Sequence, residues 1–346
     1  MYLRDCWYVA AWDREVGREP LARTFLGQPV VLYRREDGTP VALEDRCCHR
    51  NLPLSMGSVR GDNLQCGYHG LTFDPTGACI LVPGQSTIPP GAEVRSFPVR
   101  ERHRWIWIWM GDPARADEAT IPDLFWNDGP DWRTTGDYHP VAAEYRLLTD
   151  IQLDATHVTY VHPDTLGSDA VQATPPRVER RDGRIDISRW LLGVEAPPIW
   201  KVAGGFAGPV DRWILATFVP PTGCIFDIGA AKAGTGAPEG DRSCGITNRT
   251  SHFSTPESES SCHYFWLFAR NYRLGDDDLD ARLHPGVHQT FREDVDAVEA
   301  QQRGVDAHPG AVQIDVNADK PTIQARRLLA GLIEGEARPY AAAPAG

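Results

Sequence analysis

The sequence predicts an α+β protein of two domains: an all-β domain over residues 1–115, then a domain over residues 116–346 that combines an antiparallel sheet with helices. Two observations support this prediction. The first part holds short apolar runs separated by turn residues, whereas the second holds longer runs and one late segment with helical periodicity. A chain of 346 residues is long enough for two domains that each bury a sizeable core.

Short strands of the first domain are predicted at residues 29–33, 41–44 and 71–73, each beside a turn. Residues 105–109, with the sequence Trp-Ile-Trp-Ile-Trp, alternate two residue types and so place them on opposite faces of a strand. Because both types are apolar, we expect this strand to be buried on both faces rather than to form a stacking surface for a ligand.

The second domain is predicted to contain an antiparallel sheet and one long helix. Its strands are predicted at residues 213–218, 224–228, 250–253 and 263–268, with turns at 220–223 and 255–258. The helix is predicted over residues 284–302, because apolar residues recur there at helical spacing: Val287, Phe291, Val295 and Val298.

Composition argues against several classes of protein. The net charge of −12 makes a nucleic-acid partner unfavourable, because phosphate backbones attract basic proteins. No run reaches the roughly 18 apolar residues of a membrane span, and the N-terminus lacks the charged and apolar segments of a signal peptide. Eight cysteines without a secretion signal are expected as reduced thiols and metal ligands, which favours a cytoplasmic location.

The strongest functional signal is a pair of motifs, Cys47-x-His49 and Cys66-x-x-His69, each in a loop rich in turn residues. Two thiolates and two imidazoles brought together by two loops form a four-ligand metal site. Zinc accepts such a set, and so does a Rieske [2Fe–2S] centre, with two cysteines on one iron and two histidines on the other. A zinc finger places both cysteines in its first pair. Here each pair mixes one cysteine with one histidine, which favours the two-iron cluster.

The two loops, C-x-H-R-x-x-P-L-S-x-G followed by C-x-Y-H-G-L-x-F-D-x-x-G-x-C, resemble the Rieske domain of ring-hydroxylating and demethylating oxygenases. Tyr68 stands where respiratory Rieske proteins carry an extra cysteine, which favours the oxygenase branch. The resemblance implies that Cys47, His49, Cys66 and His69 bind a [2Fe–2S] cluster. It also implies the fold, an all-β Rieske domain followed by a helix-grip catalytic domain.

A second metal site is indicated by the pattern D-x-x-H-x-x-x-x-H at Asp154, His157 and His162. Asp154 and His157 are predicted to share a helix face, but His157 and His162 lie about 140° apart on a regular helix and could not bind one metal from it. Pro163 should end or bend the helix near His162, because the residue before a proline is pushed out of the α region. Two core or surface histidines without a ligand role are the alternative.

Two histidines need an anionic third ligand to complete a 2-His-1-carboxylate site for Fe(II), the open site of non-haem oxygenases. The D-x-x-H-x-x-x-x-H pattern is similar to the mononuclear-iron motif of the same oxygenase family, in which the third ligand is an aspartate on a late helix. The resemblance of residues 291–294 and 299–302 to that helix places the ligand at Asp294. Glu293 is the alternative, and a solvated acidic face is the interpretation without a metal.

In the family, the aspartate that matches Asp154 hydrogen-bonds a histidine ligand of its own site and a cluster histidine of the neighbouring subunit. The resemblance therefore implies that Asp154 links His157 to His69 of the partner subunit in a homotrimeric ring, since the path between the two metals within one chain is too long for fast transfer. A carboxylate so placed fixes the tautomer of a ligating imidazole. Ile151 stands where relatives often carry asparagine, which removes the basis for a polar role there.

Within the family, the chain resembles the group of vanillate O-demethylase, dicamba O-demethylase and toluenesulfonate methyl-monooxygenase over nearly its whole length. The resemblance implies the terminal oxygenase component of a multicomponent monooxygenase, which hydroxylates a methyl or methoxy group of a small aromatic acid with O2. Electrons would come from NAD(P)H through a separate ferredoxin-type reductase, because no G-x-G-x-x-G in a βαβ context appears. His252 is either a group that holds a polar part of the substrate or a satisfied strand histidine. An aromatic-ring dihydroxylase and a cluster-only electron carrier are the alternative functions.

Overall fold

The computed structural model describes residues 1–167 and 169–337. They form two compact units, each with its own core. The first unit comprises Met1–Asp123 and the short segment Thr255–Glu259, and the second comprises Leu124–Ser254 and the chain from Ser260 onwards. The domain bounds expected from the sequence, 1–115 and 116–346, stay a prediction.

The first unit is built of short antiparallel strands in three sheets. In chain order its strands are β1 Trp7–Trp12, β2 Leu21–Phe25, β3 Gln28–Arg34, β4 Pro40–Glu44, β5 Ser58–Arg60, β6 Asn63–Gln65, β7 Thr72–Phe73, β8 Cys79–Leu81, β9 Ser96–Phe97, β10 Val99–Arg102 and β11 Trp105–Trp109. The sheets have the strand orders β1-β11-β10, β2-β3-β4-β9 and β5-β6-β7-β8. The three short strands predicted from the sequence are confirmed as β3, β4 and β7.

The alternating strand β11 lies in the core of the first unit. All of its residues are buried, and its isoleucines join a cluster of apolar side chains from β1 to β4. On the other face, Trp109 meets Trp7 and Trp105 meets Trp12 edge to face, with ring centroids 5.4 and 5.6 Å apart. Each such contact adds about 0.5–1.5 kcal/mol to the burial of apolar area. The predicted burial of both faces is therefore confirmed.

The second unit is organised around one sheet of long antiparallel strands. These are β12 Arg133–Val141, β13 Arg177–Arg181, β14 Arg184–Val194, β15 Val210–Val219, β16 Gly223–Lys232, β17 Gly245–Ser258 and β18 Ser261–Arg270, in the order β12-β18-β17-β16-β15-β14-β13. The four strands predicted in this region are confirmed as the central parts of β15 to β18. The register pairs Ile214 with Ile228, and Ile228 with Asn248, so these three side chains share one face of the sheet.

The turn predicted at residues 255–258 is wrong. The strand β17 continues through Pro256 to Ser258, and the connection to β18 is Glu259–Ser260. The pairing between β16 and β17 ends at Phe253. Beyond that residue the carbonyls of Pro256 and Glu257 accept from the N–H groups of Leu26 and Gly27, each at 2.9 Å. A proline, which lacks only the N–H donor, is tolerated in this position.

Helices of the second unit are α1 Tyr145–Leu153, α2 Val158–Val161, α3 Asp169–Ala173, α4 Pro198–Gly204, α5 Asp277–Ala307 and α6 Lys320–Ala337. The long helix α5 contains the predicted helix 284–302, and Val287, Val295 and Val298 are buried on it. No helix in the described part of the chain is both long enough and apolar enough to cross a membrane.

A buried ion pair anchors the start of α5. Arg270, at the end of β18, is fully buried, and its Nε and Nη2 donate to Asp280 at 2.9 and 2.6 Å. Arg133 donates to the other oxygen of Asp280 at 2.6 Å. The carboxylate of Asp276 caps the helix by accepting from the N–H of Leu279 at 2.8 Å. This network joins the sheet to α5 and so fixes where the helix lies.

We expect Arg270→Met to lower the free energy of unfolding by about 3–5 kcal/mol, because it leaves the buried Asp280 carboxylate without its main partner. Denaturant unfolding followed by circular dichroism measures this change. Lys201→Ala, which breaks the exposed pair of Lys201 with Glu195, should change the same quantity by less than about 1 kcal/mol. Equal effects of the two substitutions would show that the buried pair does not anchor the helix.

Candidate metal centres

Two loops of the first unit, residues 47–52 and 66–71, have the same backbone pattern. Each cysteine N–H donates to the carbonyl five residues further on, at 2.9 Å in the first loop and 2.8 Å in the second. Each cysteine carbonyl accepts from the N–H four residues on, and that residue, Asn51 or Gly70, has a positive φ of 59° or 73°. Asparagine and glycine are the residues that tolerate this conformation best.

Two glycines allow the loop segments to approach closely. A Cβ atom at Gly57 would lie 2.0 Å from the carbonyl oxygen of Gln65, and one at Gly67 would lie 2.6 Å from that of Met56. No side chain fits at such distances, so glycine is required at both positions. The two metal-binding motifs are therefore held side by side by backbone packing.

The four candidate ligands of these loops differ in exposure according to residue type. Cys47 and Cys66 are buried, at 2% and 3% exposed, whereas His49 and His69 are exposed, with ring centroids 4.7 Å apart. Burial raises the pKa of Cys47 to about 11, and the neighbouring Cys66 thiol also raises it. Two buried thiols side by side become thiolates only beside a cation. The two thiols thus lie side by side, and so do the two imidazoles. A Rieske [2Fe–2S] cluster requires this arrangement, because the cysteines bind one iron and the histidines bind the other.

The segment before His157 is not a regular helix. The helix α1 stops at Asp154, whose carboxylate accepts from the N–H of Thr156 at 2.9 Å and so caps a separate 3₁₀ turn, Ala155–His157. The prediction that Asp154 and His157 share a helix face is therefore wrong. The reason is the capping preference of aspartate, which competes with continuation of the helix.

A second break follows at His162. The short helix α2 ends there, and His162 has φ and ψ of −121° and 52°, outside the α region, directly before Pro163. This break confirms the bend that the sequence predicts. It turns the His162 ring towards His157, to a centroid separation of 5.1 Å.

Three potential ligand atoms meet where the two breaks face α5. The Nε2 atoms of His157 and His162 are 3.3 Å apart, and Oδ1 of Asp294 lies 3.3 Å from the first and 3.0 Å from the second. A cation about 2.1 Å from each atom needs neighbouring ligand atoms about 3.0 Å apart when they meet at right angles. The triangle therefore fits three ligands on one face of an octahedral metal, the arrangement of a 2-His-1-carboxylate site.

The other nitrogen of each histidine has its own acceptor. Nδ1 of His162 donates to the Glu293 carboxylate at 2.8 Å, and Nδ1 of His157 donates to the backbone carbonyl of Asp154. Such partners fix the tautomer and direct Nε2 towards a metal. Glu293, which the sequence offers as the alternative ligand, thus contacts Nδ1 of His162, whereas Asp294 contacts Nε2. The Asp154 carboxylate contacts Thr156, and its link to His69 of the partner subunit stays a prediction.

Contacts between the Asp294 carboxylate and the two histidines shift pKa values in the site. Burial alone would raise the pKa of Asp294, but hydrogen bonds from His157 and His162 outweigh it and lower the pKa to about 2. Burial opposes the charged form of His162, yet its contacts with Asp294 and Glu293 raise its pKa. The site therefore favours a carboxylate between positive groups, and a metal cation supplies the same positive charge.

The candidate metal ligands line a cavity of about 130 Å³ enclosed by the sheet, α4 and α5. Its walls are mostly apolar, as in sites for small organic ligands. His252 lies on the sheet side, with Nδ1 2.7 Å from the hydroxyl of Tyr264, and burial lowers its pKa to about 3. His252 is thus both satisfied in its strand and part of the cavity wall. Its contact with a substrate stays a prediction.

Two protein families match successive parts of this chain. Residues 6–98 match the Rieske [2Fe–2S] domain family, and residues 141–335 match the family of the vanillate O-demethylase oxygenase C-terminal domain. The chain belongs to the Rieske non-haem iron oxygenases. The first match covers both cysteine–histidine loops, and the second covers all three residues of the candidate iron site.

Relatives of this Rieske oxygenase have nearly the same length. It is 43% identical to the toluene-4-sulfonate monooxygenase system iron-sulfur subunit of Comamonas testosteroni over 97% of this chain and 98% of the relative. It is 36% identical to the vanillate O-demethylase oxygenase subunit of a Pseudomonas species over 97% and 96%. The crystal structure of dicamba monooxygenase bound to dicamba has a TM-score of 0.89 at 37% identity, covering 97% of this chain and 99% of that one.

The cofactors of the Rieske oxygenase are a [2Fe–2S] cluster and a non-haem iron. A second dicamba monooxygenase structure, described as containing non-haem iron and dicamba, has a TM-score of 0.84 at 35% identity over 97% of this chain and 98% of that one. The donor sets described above fit both groups: two thiols with two imidazoles in the first unit, and two imidazoles with one carboxylate in the second.

Several cavity residues were not identified from the sequence. Asn248 and Thr250 share a strand face with His252 and line the same cavity. Polar residues at alternate positions of a predicted strand are a signal that could have identified them. Arg212, also in the cavity wall, has no such signal, because it precedes the strand predicted at residues 213–218.

We expect Asp294→Asn to remove about one iron per chain and to leave the cluster in place, because only the carboxylate faces both imidazole Nε2 atoms. Glu293→Gln is the matched control, with an expected loss of about 10–100-fold in iron affinity, the usual effect of losing a hydrogen-bond partner of a ligand. Metal analysis gives the iron content, and the EPR signal of the reduced cluster reports on the first site. Greater iron loss from Glu293→Gln than from Asp294→Asn would reverse the assignment.

Proposed function

We propose that this protein is the terminal oxygenase component of a Rieske monooxygenase that hydroxylates a methyl or methoxy group of a small aromatic acid with O2. The observation that carries the proposal is that the three candidate iron ligands line the wall of an apolar cavity. Relatives named for toluene-4-sulfonate, vanillate and dicamba support the class of substrate. Electrons would come from NAD(P)H through a separate ferredoxin-type reductase.

We assign Cys47, His49, Cys66 and His69 to the cluster, within a Rieske domain of residues 1–115. The catalytic domain, residues 116–346, would hold the iron with His157, His162 and Asp294. Three charged or polar ligands leave the remaining coordination positions of the metal open towards the cavity, where a substrate and O2 can enter.

Each part of the site has a defined task in this proposal. When bound, the cluster supplies electrons one at a time and the iron supplies the activation of O2. Glu293 and the Asp154 carbonyl keep both imidazoles in the tautomer that presents Nε2 to the metal. The apolar walls exclude water from the substrate, and His252 would contact a polar group of it. A hydroxylated methoxy group is a hemiacetal, which collapses to a phenol and formaldehyde.

The activity test uses the purified oxygenase with a surrogate reductase, NADH and a panel of methyl- and methoxy-substituted aromatic acids. We expect O2 uptake that depends on substrate, and formaldehyde release from methoxy compounds. His162→Ala should lower the rate by at least about a hundredfold with the cluster signal unchanged, because a ligand is lost. His252→Phe should raise KM more than it changes kcat.

Three results would contradict the proposed activity. A product with both atoms of labelled O2 on adjacent ring carbons would indicate a dihydroxylase. Iron content limited to that of the cluster would indicate an electron carrier. The absence of uptake with every methyl- and methoxy-substituted aromatic acid would exclude the proposed substrate class.

We also infer a homotrimer in which Asp154 connects His157 to the cluster ligand His69 of the partner subunit. Exposure of His49 and His69 supports this, because both rings are available to a neighbouring chain. A cytoplasmic location is consistent with the absence of disulfides among the cysteines of the described chain.

Mixing two inactive variants tests the ring. Cys66→Ser should lack the cluster and Asp294→Ala should lack the mononuclear iron, so neither works alone. Co-expressed, they should recover about a quarter of the wild-type rate, because random assembly places an intact cluster next to an intact iron site in some neighbouring pairs. Sedimentation should show the trimer. An inactive mixed sample, or a fully active monomer, would contradict transfer between subunits.

A further inference from the structure

Arg212 is a buried cation in the wall of the cavity. It lies on β15, is 2% exposed, and lines the same space as the candidate iron ligands. Its Nε and Nη1 have no hydrogen-bond partner among the residues that the structure describes. Burial lowers its pKa to about 10, and no nearby carboxylate offsets this effect. The group still carries its charge at neutral pH, and no carboxylate of the described residues acts on its pKa.

A buried guanidinium without a partner is costly, because desolvation of the charge is not repaid. Arg270 shows how this fold pairs an arginine that serves structure: it is equally buried, and Asp280 neutralises it. The strand neighbours of Arg212 are Leu191 and Ala230, which offer no polar side chain. An anion that enters the cavity would offset the free energy that the buried Arg212 costs.

The register of the sheet relates the position of Arg212 to that of His252. Arg212 pairs with Ala230, and Ala230 pairs with Ile246 on β17. His252, whose ring lies 4.8 Å from that of Phe291 near the metal ligands, is further along β17. Ile246 and His252 are three rows apart on the same face of β17, so Arg212 and His252 line the cavity from different rows of the sheet. An anion that contacts Arg212 would therefore point its far end towards the row of His252.

A second donor lies near the Arg212 end. Asn248 is one row along from Arg212 on the same face, and its Oδ1 accepts from the hydroxyl of Tyr272 at 3.0 Å. The Nδ2 group of Asn248 is then the end of this amide that can donate to a ligand. Asn248 and Tyr272 both line the cavity. This end of the cavity thus offers hydrogen-bond donors and one positive charge.

We propose that Arg212 is the anion-binding residue of the cavity and receives the carboxylate or sulfonate of the aromatic substrate. The inference rests on the proposed oxygenase function and gives the substrate an orientation. The anionic group lies towards Arg212, and the opposite end of the ring, with its methyl or methoxy group, faces His157, His162 and Asp294. A guanidinium suits either oxyanion because its donors form a planar fork.

Arg189 provides a matched control. It lies on the neighbouring strand β14, is 4% exposed, and also has Nε and Nη1 without hydrogen-bond partners among the described residues. Unlike Arg212, it is attracted to a carboxylate, that of Asp154, although burial outweighs this and lowers its pKa. It is also absent from the described lining of the cavity. Arg189 and Arg212 are thus alike in burial and in the atoms that lack hydrogen-bond partners. They differ in that only Arg212 lines the cavity.

Calorimetric titration of the oxygenase with both metals bound, under anaerobic conditions, tests the proposal. The probes are two pairs of equal shape: 4-methoxybenzoate with 4-methoxybenzamide, and 4-methylbenzenesulfonate with 4-methylbenzenesulfonamide. We expect Arg212→Met to weaken binding of the preferred anion about 10–100-fold and to change binding of the neutral partner by less than about threefold. Arg212→Lys should fall between, because the charge remains and the fork is lost. Arg189→Met should keep the anion affinity.

The two anions identify the group that the site prefers, carboxylate or sulfonate. The proposal is overturned if the wild type binds neither anion more tightly than its neutral partner. It is also overturned if Arg212→Met weakens acid and amide equally, or if Arg189→Met weakens the anion as much as Arg212→Met does. Oxygenation of any probe supports the proposed function whatever the outcome of the titrations, so the two failures are distinguishable.

Stability of the ligand-free protein gives an independent measurement. If Arg212 is kept for a ligand, Arg212→Met removes an unpaired buried charge and should raise the unfolding midpoint by about 2–8 °C. Saturating anion should then stabilise the wild type more than the variant. A midpoint that falls in Arg212→Met, together with no difference in anion binding, would show that Arg212 serves packing alone.

Discussion

The Asp294 carboxylate, buried between two imidazoles, is the constraint that the second unit is built to satisfy. One of its oxygens lies within 3.3 Å of Nε2 of both His157 and His162, although the two segments are far apart in the chain. A buried carboxylate is stable only beside positive charge. The site therefore favours a bound cation, which the Asp294 carboxylate and the two imidazole Nε2 atoms would hold together.

The fold meets this constraint through two interruptions and one anchor. Asp154 stops α1 and begins a 3₁₀ turn, and His162 leaves the helical conformation before Pro163. Together these breaks bring to one point two histidines that a regular helix would separate. On the opposite side, Arg270 and Asp280 tie the start of α5 to the sheet, so that the helix presents Asp294 at the same point. In the first unit, two loops with the same backbone pattern bring the two cysteine–histidine motifs side by side.

Two buried arginines of the sheet show how one residue type can serve stability or function. Arg270 is paired with a carboxylate and strengthens the fold, whereas Nε and Nη1 of Arg212 have no hydrogen-bond partner among the described residues and the side chain lines a cavity. Functional sites commonly retain groups that the fold alone would replace. In the proposed function, the Arg212 guanidinium would hold the anionic group of an aromatic substrate, so that the far end of the ring faces the candidate iron ligands.

The sequence by itself determined the family, the two ligand motifs and the late helix, because ligand spacing and turn residues are local properties. It also indicated the break at His162, since proline restricts the residue before it. The resemblance favoured Asp294 over Glu293, and the tertiary structure shows that these adjacent residues of α5 reach different nitrogens of His162. The cap at Asp154, the course of β17 through Pro256 and the exposure of Arg212 to the cavity likewise depended on contacts between distant segments. Such contacts follow from the register of the sheet and the placement of α5, which no local pattern encodes.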